Sequence, residues 1–231
     1  PHLHVETLIV SETRWPALLA ANDAEALQLA AQLPANVLAV PDDILALLSL
    51  RQNPPEVIAH VRGTVTACTD EVLAAANIIL VLDALEKPGN VGALIRSATA
   101  AGVDAIVLAH EPGARADVFN PHAIRASTGT VFHAPLVVQE RPELQAAFAR
   151  TGHRIVLTTP HTDTAHWSIT WPPKCAIVIG SEATGAHDSW FTPEQQPLRI
   201  RIPMAENGPD SLNASVAGAL VLYEAVRNRL L

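Results

Sequence analysis

The 231-residue sequence has only two cysteines, one methionine, one tyrosine and no long hydrophobic run. Cys68 and Cys175 are too few for a disulfide-stabilised scaffold, and neither stands in a zinc-ligand spacing. Even the apolar run Ile78–Leu82 is far shorter than the ~20 residues that a membrane-spanning helix needs. The first ten residues lack the pattern of a signal peptide. We therefore expect a reduced, cytoplasmic protein with no membrane anchor and no metal.

Positive charge is also scarce, because 15 Lys and Arg stand against 23 Asp and Glu, which gives a net charge of −8. Proteins that coat nucleic-acid backbones are usually basic, since neutralised phosphates release counterions. An acidic chain binds RNA through a local basic patch rather than a broad surface. Hydrophobic residues are abundant at 49%, which is enough to bury a sizeable core, so we expect a globular protein.

The hydrophobic pattern divides the chain into two blocks. Residues 1–63 alternate strands and helices but begin in mid-pattern, so we expect a small α/β domain that is shortened at its N-terminus. Residues 64–77 are expected to be a linker. In residues 78–231, apolar strands alternate with helices, which is typical of a parallel sheet covered on both faces. The elements predicted in this second block are Ile78–Leu82, Asn90–Ala101, Ala105–Ala109, Glu143–Thr151, Arg154–Thr158, Ala176–Ile179, Leu198–Ile202 and Leu212–Leu230.

A first motif, Asn90-x-Gly92-x-x-x-Arg96, opens a helix directly after a predicted strand. Gly92 and Arg96 share a helix face, and small neighbours there leave Arg96 free to reach a ligand. The plain alternative is that Asn90 is only an N-cap and Arg96 only a surface charge. A dinucleotide-binding turn, and with it a Rossmann oxidoreductase, is disfavoured because the G-x-G-x-x-G spacing is missing.

Two further motifs follow predicted strands. In Gly180-Ser181-Glu182-x-x-Gly185, two glycines allow a ligand to approach the backbone closely. The segment Ile202-Pro203-Met204 ends a strand, and Ser211-Leu212-Asn213-x-Ser215 begins the last helix, where Ser211 is expected as the N-cap. The plain alternatives are a solvated acid at Glu182 and simple helix capping by the serine and the asparagine.

A fourth stretch, Arg125-Ala126-Ser127-x-Gly129, places Arg125 to meet a phosphate or an acidic partner. Nearby His122 is a candidate general base, although a lone histidine is more often structural. The acids of the loop at residues 205–210 are too loosely spaced to indicate a metal site. The sequence contains no G-x-S-x-G elbow, Walker A loop or zinc pattern.

Taken in order, these stretches resemble the signature motifs of the SpoU/TrmH RNA 2′-O-ribose methyltransferases, over residues 78–231. Residues 1–63 more loosely resemble the small RNA-binding domain that often precedes this fold. The resemblance implies an α/β, SPOUT-type parallel sheet with helices on both faces and a deep trefoil knot at its C-terminal end. It further implies a homodimer, packed partly through the last helix, with each active site at the subunit interface.

The resemblance also implies S-adenosylmethionine as the cofactor and a ribose 2′-hydroxyl of structured ribosomal or transfer RNA as the acceptor. The alternative is a knotted RNA-binding module without catalysis. Arg96 matches the family's catalytic arginine. Because an arginine is too firmly protonated to act as a base, we expect it to stabilise phosphate and alkoxide charge.

Further site residues are carried over from the same motifs. The other expected catalytic positions are Asn90, Glu182, Ser211 and Asn213. The expected cofactor-binding positions are Thr158, Thr159, Pro160, Gly180, Ser181, Glu182, Gly185, Ile202, Pro203, Met204, Ser211, Leu212 and Asn213. For RNA we expect a basic face formed by Arg96, Arg115 and Arg125, with Arg51 and Arg62 as further contributors.

Overall fold

A computed structural model describes residues 1–20, 36–49, 53, 55–111, 117–181, 185–191 and 196–230 of the chain. These residues form two compact units, His2–Thr64 and Val65–Leu231. Among them, no helix combines the length and the apolar character that crossing a membrane requires. The same residues contain no group of three or more His, Cys, Asp or Glu side chains that could hold a metal ion.

In the smaller unit, the described residues form a three-stranded sheet and two short helices. Strand β1 lies in the centre, parallel to β2 and antiparallel to β3. Leu8, Val10 and Leu45 are buried and form its core. The Asp42 carboxylate accepts hydrogen bonds from Ser11 Oγ at 2.5 Å and from Thr13 Oγ1 at 2.9 Å, which joins the second helix to the end of β1. The elements are β1 (His2–Ser11), α1 (Trp15–Ala20), β2 (Val37–Val40), α2 (Asp42–Leu48) and β3 (Val57–Thr64).

The larger unit is built on a seven-stranded sheet with the order β10-β8-β9-β5-β6-β7-β4, in which every neighbouring pair is parallel. Its strands are β4 (Thr66–Ala67), β5 (Ile78–Asp83), β6 (Ala105–His110), β7 (Leu136–Glu140), β8 (Arg154–Thr158), β9 (Cys175–Ile179) and β10 (Leu198–Ile200). Its helices are α3 (Asp70–Ala75), α4 (Pro88–Ala101), α5 (Pro121–Ser127), α6 (Arg141–Thr151) and α7 (Ala214–Leu230), with 3-10 turns at Thr130–Phe132 and Asp188–Trp190.

Both faces of this sheet are covered, as the sequence predicts. All six residues of β5 are buried, and alternate residues along the strand belong to two separate cores. One core contains Leu94 of α4 and Leu222 of α7. The other contains Phe148 of α6 and Trp190, whose rings stack with centroids 6.4 Å apart. The continuous apolar strands therefore reflect burial on both sides.

Several boundaries differ from the prediction for physical reasons. The segment 64–77, expected to be a linker, contains β4 and α3, and β4 pairs with β7 at the sheet edge. Helix α4 begins at Pro88, a favourable first helical residue, rather than at Asn90. The last helix begins at Ala214, and β10 ends at Ile200. Helix α5 and strand β7 were not predicted from the sequence. In the first block, helix α1 is described over Trp15–Ala20, and residues 21–35 lie outside the described residues.

Candidate active site

Two adjoining cavities lie where β8, β9 and β10 end. The smaller has a volume of about 410 Å³ and the larger about 920 Å³. Both are lined by Thr158–Pro160, by residues 210–212 and by Ala217. Volumes of roughly 300–1,000 Å³ are usual for small-molecule sites, and the carboxyl ends of parallel strands are where such sheets bind ligands.

The structure brings the described members of the predicted cofactor set together around these cavities. Ile202, Pro203 and Met204 line the smaller cavity. Gly180, Ser181, Gly185 and Asn213 line the larger one. The members of the predicted cofactor set that line both cavities are Thr158, Thr159, Pro160, Ser211 and Leu212. Glu182 lies outside the described residues.

The turn after β9 requires glycine. A Cβ on Gly180 would lie 2.1 Å from the backbone nitrogen of Ala186 and 2.1 Å from the carbonyl carbon of Gly185. Gly185 has a φ of +74°, in the left-handed region that favours glycine. Its N–H donates to Ser181 O at 2.9 Å, which closes the turn. The backbone of Gly180, Ser181 and Gly185 therefore forms part of the wall of the larger cavity.

The lining of the smaller cavity fits S-adenosylmethionine. Ile202, Leu212 and Val221 supply an apolar wall for a flat adenine, and Glu206 and Asp210 supply carboxylates for hydroxyl and ammonium donors. Arg201 lines the same cavity, and its buried Nε has no hydrogen-bond partner among the described residues. An oxygen of a bound ligand would satisfy such a donor.

Asn90 and Asn213 join the first and third motifs directly. Asn213 Nδ2 donates to Asn90 Oδ1 at 3.0 Å, and Asn90 is buried in the first turn of α4. The Asn213 Oδ1 accepts from the backbone N–H of Ser215 at 2.9 Å and from Ser215 Oγ at 2.6 Å. The N-cap predicted at Ser211 is thus wrong, because Asn213 provides the capping oxygen. Asn90 is likewise not the N-cap of its helix, which is Lys87.

A buried charged network behind the larger cavity was missed by the sequence analysis. Asp83 ends β5 and is 1% exposed. It accepts hydrogen bonds from Arg141 Nε at 2.8 Å, from Trp190 Nε1 at 2.8 Å and from the backbone N–H of His187 at 3.3 Å. The network ties the segment after the second motif, which includes cavity residues Ala186 and Asp188, to the sheet.

The network ends at a surface carboxylate. Arg141 also pairs with Glu111, and this hydrogen bond, followed by the arginine charge, lowers the pKa of the Glu111 carboxyl. Glu111 Oε1 lies 3.8 Å from His187 Nε2. The only sequence signal for this network was an aspartate, Asp83, at the end of a buried strand. Its partners could not be predicted because they are distant in the sequence.

Those predicted RNA-binding arginines that the structure describes do not line either cavity. Arg96 is exposed on α4 and Arg125 is exposed on α5, and neither lines a cavity. Gly92, which shares a helix face with Arg96, allows α4 and α5 to pack closely instead of leaving space for Arg96. A Cβ on Gly92 would lie 2.2 Å from Ala123 O of α5. Arg62 lies in the smaller unit and pairs with Glu6 at 2.7 Å. Arg51 and Arg115 lie outside the described residues.

The fourth stretch has a structural role in this geometry. Ser127 is fully buried, and its Oγ donates to Ile124 O at 2.9 Å. Gly129 follows with a φ of +84° and ends the turn after α5. His122 is exposed in the first turn of the same helix. Instead, the cations that do line the larger cavity are Lys87 and Arg199.

Comparison with known proteins connects this geometry to a family. The family model described as "SpoU rRNA Methylase family" matches residues 77–223. The 23S rRNA (uridine(2479)-2′-O)-methyltransferase of Streptomyces viridochromogenes is 34% identical over 197 residues, which are 82% of this chain and 66% of that enzyme. The 23S rRNA (guanosine(2553)-2′-O)-methyltransferase RlmP of Bacillus subtilis (strain 168) is 29% identical over 182 residues, covering 79% of this chain and 69% of that enzyme.

Solved structures agree with the fold. The SpoU methyltransferase AviRb from S. viridochromogenes in complex with the cofactor AdoMet is 29% identical, with a TM-score of 0.80 over 99% of this chain and 84% of that one. An RNA 2′-O ribose methyltransferase is 35% identical, with a TM-score of 0.73 over 99% of this chain and 83% of that one. The predicted family is therefore confirmed: the chain belongs to the SpoU rRNA methylase family.

Proposed function

We propose that this protein transfers the methyl group of S-adenosylmethionine to a ribose 2′-hydroxyl of structured RNA, ribosomal or transfer. One observation carries the proposal: residues from each of three motifs, far apart in the sequence, line two adjoining cavities at the carboxyl edge of one sheet. The named relatives, which act on 23S rRNA, and the AdoMet-bound neighbour support the same chemistry.

The chain's main task in this reaction is alignment. S-adenosylmethionine, when bound, supplies an already activated methyl group, so the protein needs to hold donor and acceptor in line. We assign its binding to the backbone of Gly180–Gly185, to Thr158–Pro160, and to Ile202–Met204 with Ser211–Asn213. Asn90 lines the larger cavity beside Asn213 and is positioned to orient the acceptor ribose.

The acceptor hydroxyl must lose its proton as the new C–O bond forms. Arg96 is not suited to take that proton, but its guanidinium can hold the adjacent phosphate and stabilise the developing alkoxide. Because Arg96 lines neither cavity of its own chain, we propose that it acts in the cavity of a second subunit. Glu182 and Ser211 complete the proposed catalytic set.

A homodimer would provide that second subunit. Val216, Leu220 and Tyr223 recur at helical spacing along α7 and are 48%, 46% and 50% exposed. Such an apolar stripe on a surface helix is typical of a protein–protein interface. We propose that two copies pack through α7 and thereby complete each active site.

Two finer features of the fold belong to the same proposal. We propose that the chain after β9 forms a trefoil knot, which is supported by the family to which the chain belongs. Tracing the backbone in an experimental electron-density map tests this.

We also propose that residues 1–63 contribute to RNA capture and that the protein acts in the cytoplasm, where the RNA is made and assembled.

Isothermal titration calorimetry tests the proposed function first. We expect S-adenosylmethionine to bind with one site per chain, and lack of binding at millimolar ligand would exclude the enzyme. Mass spectrometry of ribosomal and transfer RNA from a deletion strain should then reveal one missing 2′-O-methylated nucleotide. Cofactor binding without any such loss would favour the alternative, an RNA-binding module without catalysis.

A further inference from the structure

Part of the wall of the larger cavity comes from outside the family motifs. The guanidinium carbon of Arg199 lies 4.1 Å from the centre of the Phe191 ring, and both residues line this cavity. Arg199 is exposed and Phe191 is half-buried, so the guanidinium is the solvent-facing member of the pair. Lys87, the N-cap residue of α4, also lines this cavity.

The lack of an ion pair distinguishes Lys87 and Arg199 from most other described cations of the larger unit. Arg141, Arg150 and Arg227 are held in ion pairs with Asp or Glu. Within the part of the chain that the structure describes, neither Lys87 nor Arg199 forms an ion pair. Asp188 lines the same cavity, so its wall is not uniformly positive. This arrangement suits one local phosphate contact better than a broad electrostatic surface.

We propose that Arg199 and Phe191 form a stacking platform for an unpaired base beside the target ribose, and that Lys87 contacts a phosphate of the same strand. Unpaired RNA bases stack on aromatic rings and on guanidinium planes, and they do so with little sequence preference. The inference rests on the proposed function, because the predicted cofactor residues line the same cavity and would set the methyl group beside this base.

The platform also accounts for RNA binding by an acidic chain. Affinity that comes from stacking releases few counterions, so it falls only slightly with salt. With the two phosphate contacts proposed for Lys87 and Arg96, the slope of log K against log salt for single-stranded RNA should be close to −1.4. A protein that depended on a wide basic face would show a slope several times steeper.

Fluorescence anisotropy of the full chain with S-adenosylmethionine tests this, using a labelled single-stranded RNA decamer and an abasic decamer. Arg199→Lys keeps the charge but removes the plane, so it should weaken binding of the decamer with bases on the order of tenfold. Binding of the abasic decamer should change less than twofold. Lys87→Ala should weaken binding of both and flatten the salt dependence by about 0.7 in slope.

Arg154→Ala is the matched control. Arg154 is exposed at the first residue of β8, about 13 Å from the cavity end of that strand, and its loss removes the same charge. If Arg199→Lys binds the decamer with bases as tightly as wild type, the stacking platform is excluded. If the salt slope of Lys87→Ala equals that of Arg154→Ala, the phosphate contact is excluded.

Methyl transfer separates this inference from the function on which it rests. With 23S rRNA and tRNA transcripts, Arg199→Lys should raise the KM for RNA while kcat and the calorimetric Kd for S-adenosylmethionine stay unchanged. A fall in kcat at constant KM would contradict a role in substrate binding. If the wild-type protein transfers no methyl group, the proposed function fails, whereas the anisotropy comparison still decides whether Arg199 stacks a base.

Discussion

Asn213 links the last helix to the first motif through a 3.0 Å hydrogen bond from its Nδ2 to Asn90 Oδ1, while its own Oδ1 caps α7. Capping and linking can be separated. Asn213→Ser keeps a capping oxygen but is too short to reach Asn90, whereas Asn213→Ala loses both functions. We expect Asn213→Ala to lower the free energy of unfolding by about 0.5–2 kcal/mol relative to Asn213→Ser.

Both substitutions should reduce kcat for methyl transfer, because both remove the group that holds Asn90 in the cavity. Urea denaturation gives the free energies of unfolding, and transfer of tritiated methyl groups to RNA gives kcat. If Asn213→Ser retains wild-type kcat, the hydrogen bond to Asn90 is only structural.

Burial of the Asp83–Arg141 pair predicts that Asp→Asn lowers the free energy of unfolding more at Asp83 than at Asp70. Both side chains of this pair are at most 2% exposed, so Asp83→Asn leaves a buried guanidinium with only the half-exposed Glu111 as its charge partner. We expect a loss of about 3–5 kcal/mol in the free energy of unfolding. Asp70→Asn is the control, because its partner Arg150 is 57% exposed and solvent screens that pair. Equal losses in urea denaturation would show that burial does not control the effect.

Most of the fold can be predicted from local sequence patterns. Two elements show where such prediction succeeds and where it fails. The run Ile78–Leu82 predicts a strand buried on both faces because hydrophobicity is local. Helix α5 was missed because its seven residues include a proline, an arginine and a histidine, and it forms by packing against Gly92 rather than by its own periodicity.

The site divides in the same way. The glycine turn after β9 can be predicted because Gly180 and Gly185 follow an apolar strand. The structure gives the reason for the first glycine, since Gly180 has no room for a Cβ. The Asp83 network cannot be predicted, because its partners Arg141 and Trp190 are 58 and 107 residues away in sequence. The cavity that Arg96 serves also cannot be predicted, because a helix pattern gives the face of a residue on its own helix but not which cavity that face meets.

The pH dependence of stability should include a contribution from His153, which is 6% exposed. Burial lowers its pKa below the ordinary value of 6.5, and its Nε2–H donates to Ala76 O at 3.1 Å. The unfolded chain therefore binds a proton more readily. This contribution is complete above about pH 6.5 and is lost as the pH falls through the folded pKa.

Urea denaturation between pH 7.5 and pH 5.5 measures the effect. The free energy of unfolding of the wild type should fall across this range, and His153→Gln should flatten the curve. His133→Gln is the control, because it changes an exposed histidine. It should leave the slope of the free energy of unfolding against pH as in the wild type. A slope that His153→Gln does not alter would assign the pH dependence to other groups.

The exposed apolar stripe on α7 predicts the oligomeric state. Leu220→Glu places a charge at its centre, so it should weaken the proposed dimer by at least tenfold in sedimentation equilibrium while circular dichroism stays unchanged. Leu47→Glu is the control, because Leu47 is 81% exposed and lies on α2 of the smaller unit. A wild-type protein that sediments as a monomer at micromolar concentration would contradict this prediction.

Arg96 should act on the cavity of the other subunit, and subunit mixing tests this. Arg96→Ala should abolish methyl transfer while calorimetric binding of S-adenosylmethionine persists. Gly180→Val should abolish cofactor binding, because its side chain would overlap the backbone of Gly185–Ala186. When the two inactive variants are mixed and refolded together, each heterodimer regains one site with an intact cavity and an intact arginine. Because half of the dimers are then mixed and each has one working site, activity should recover to about a quarter of wild type. No recovery from a mixture that forms heterodimers would mean that Arg96 serves its own chain.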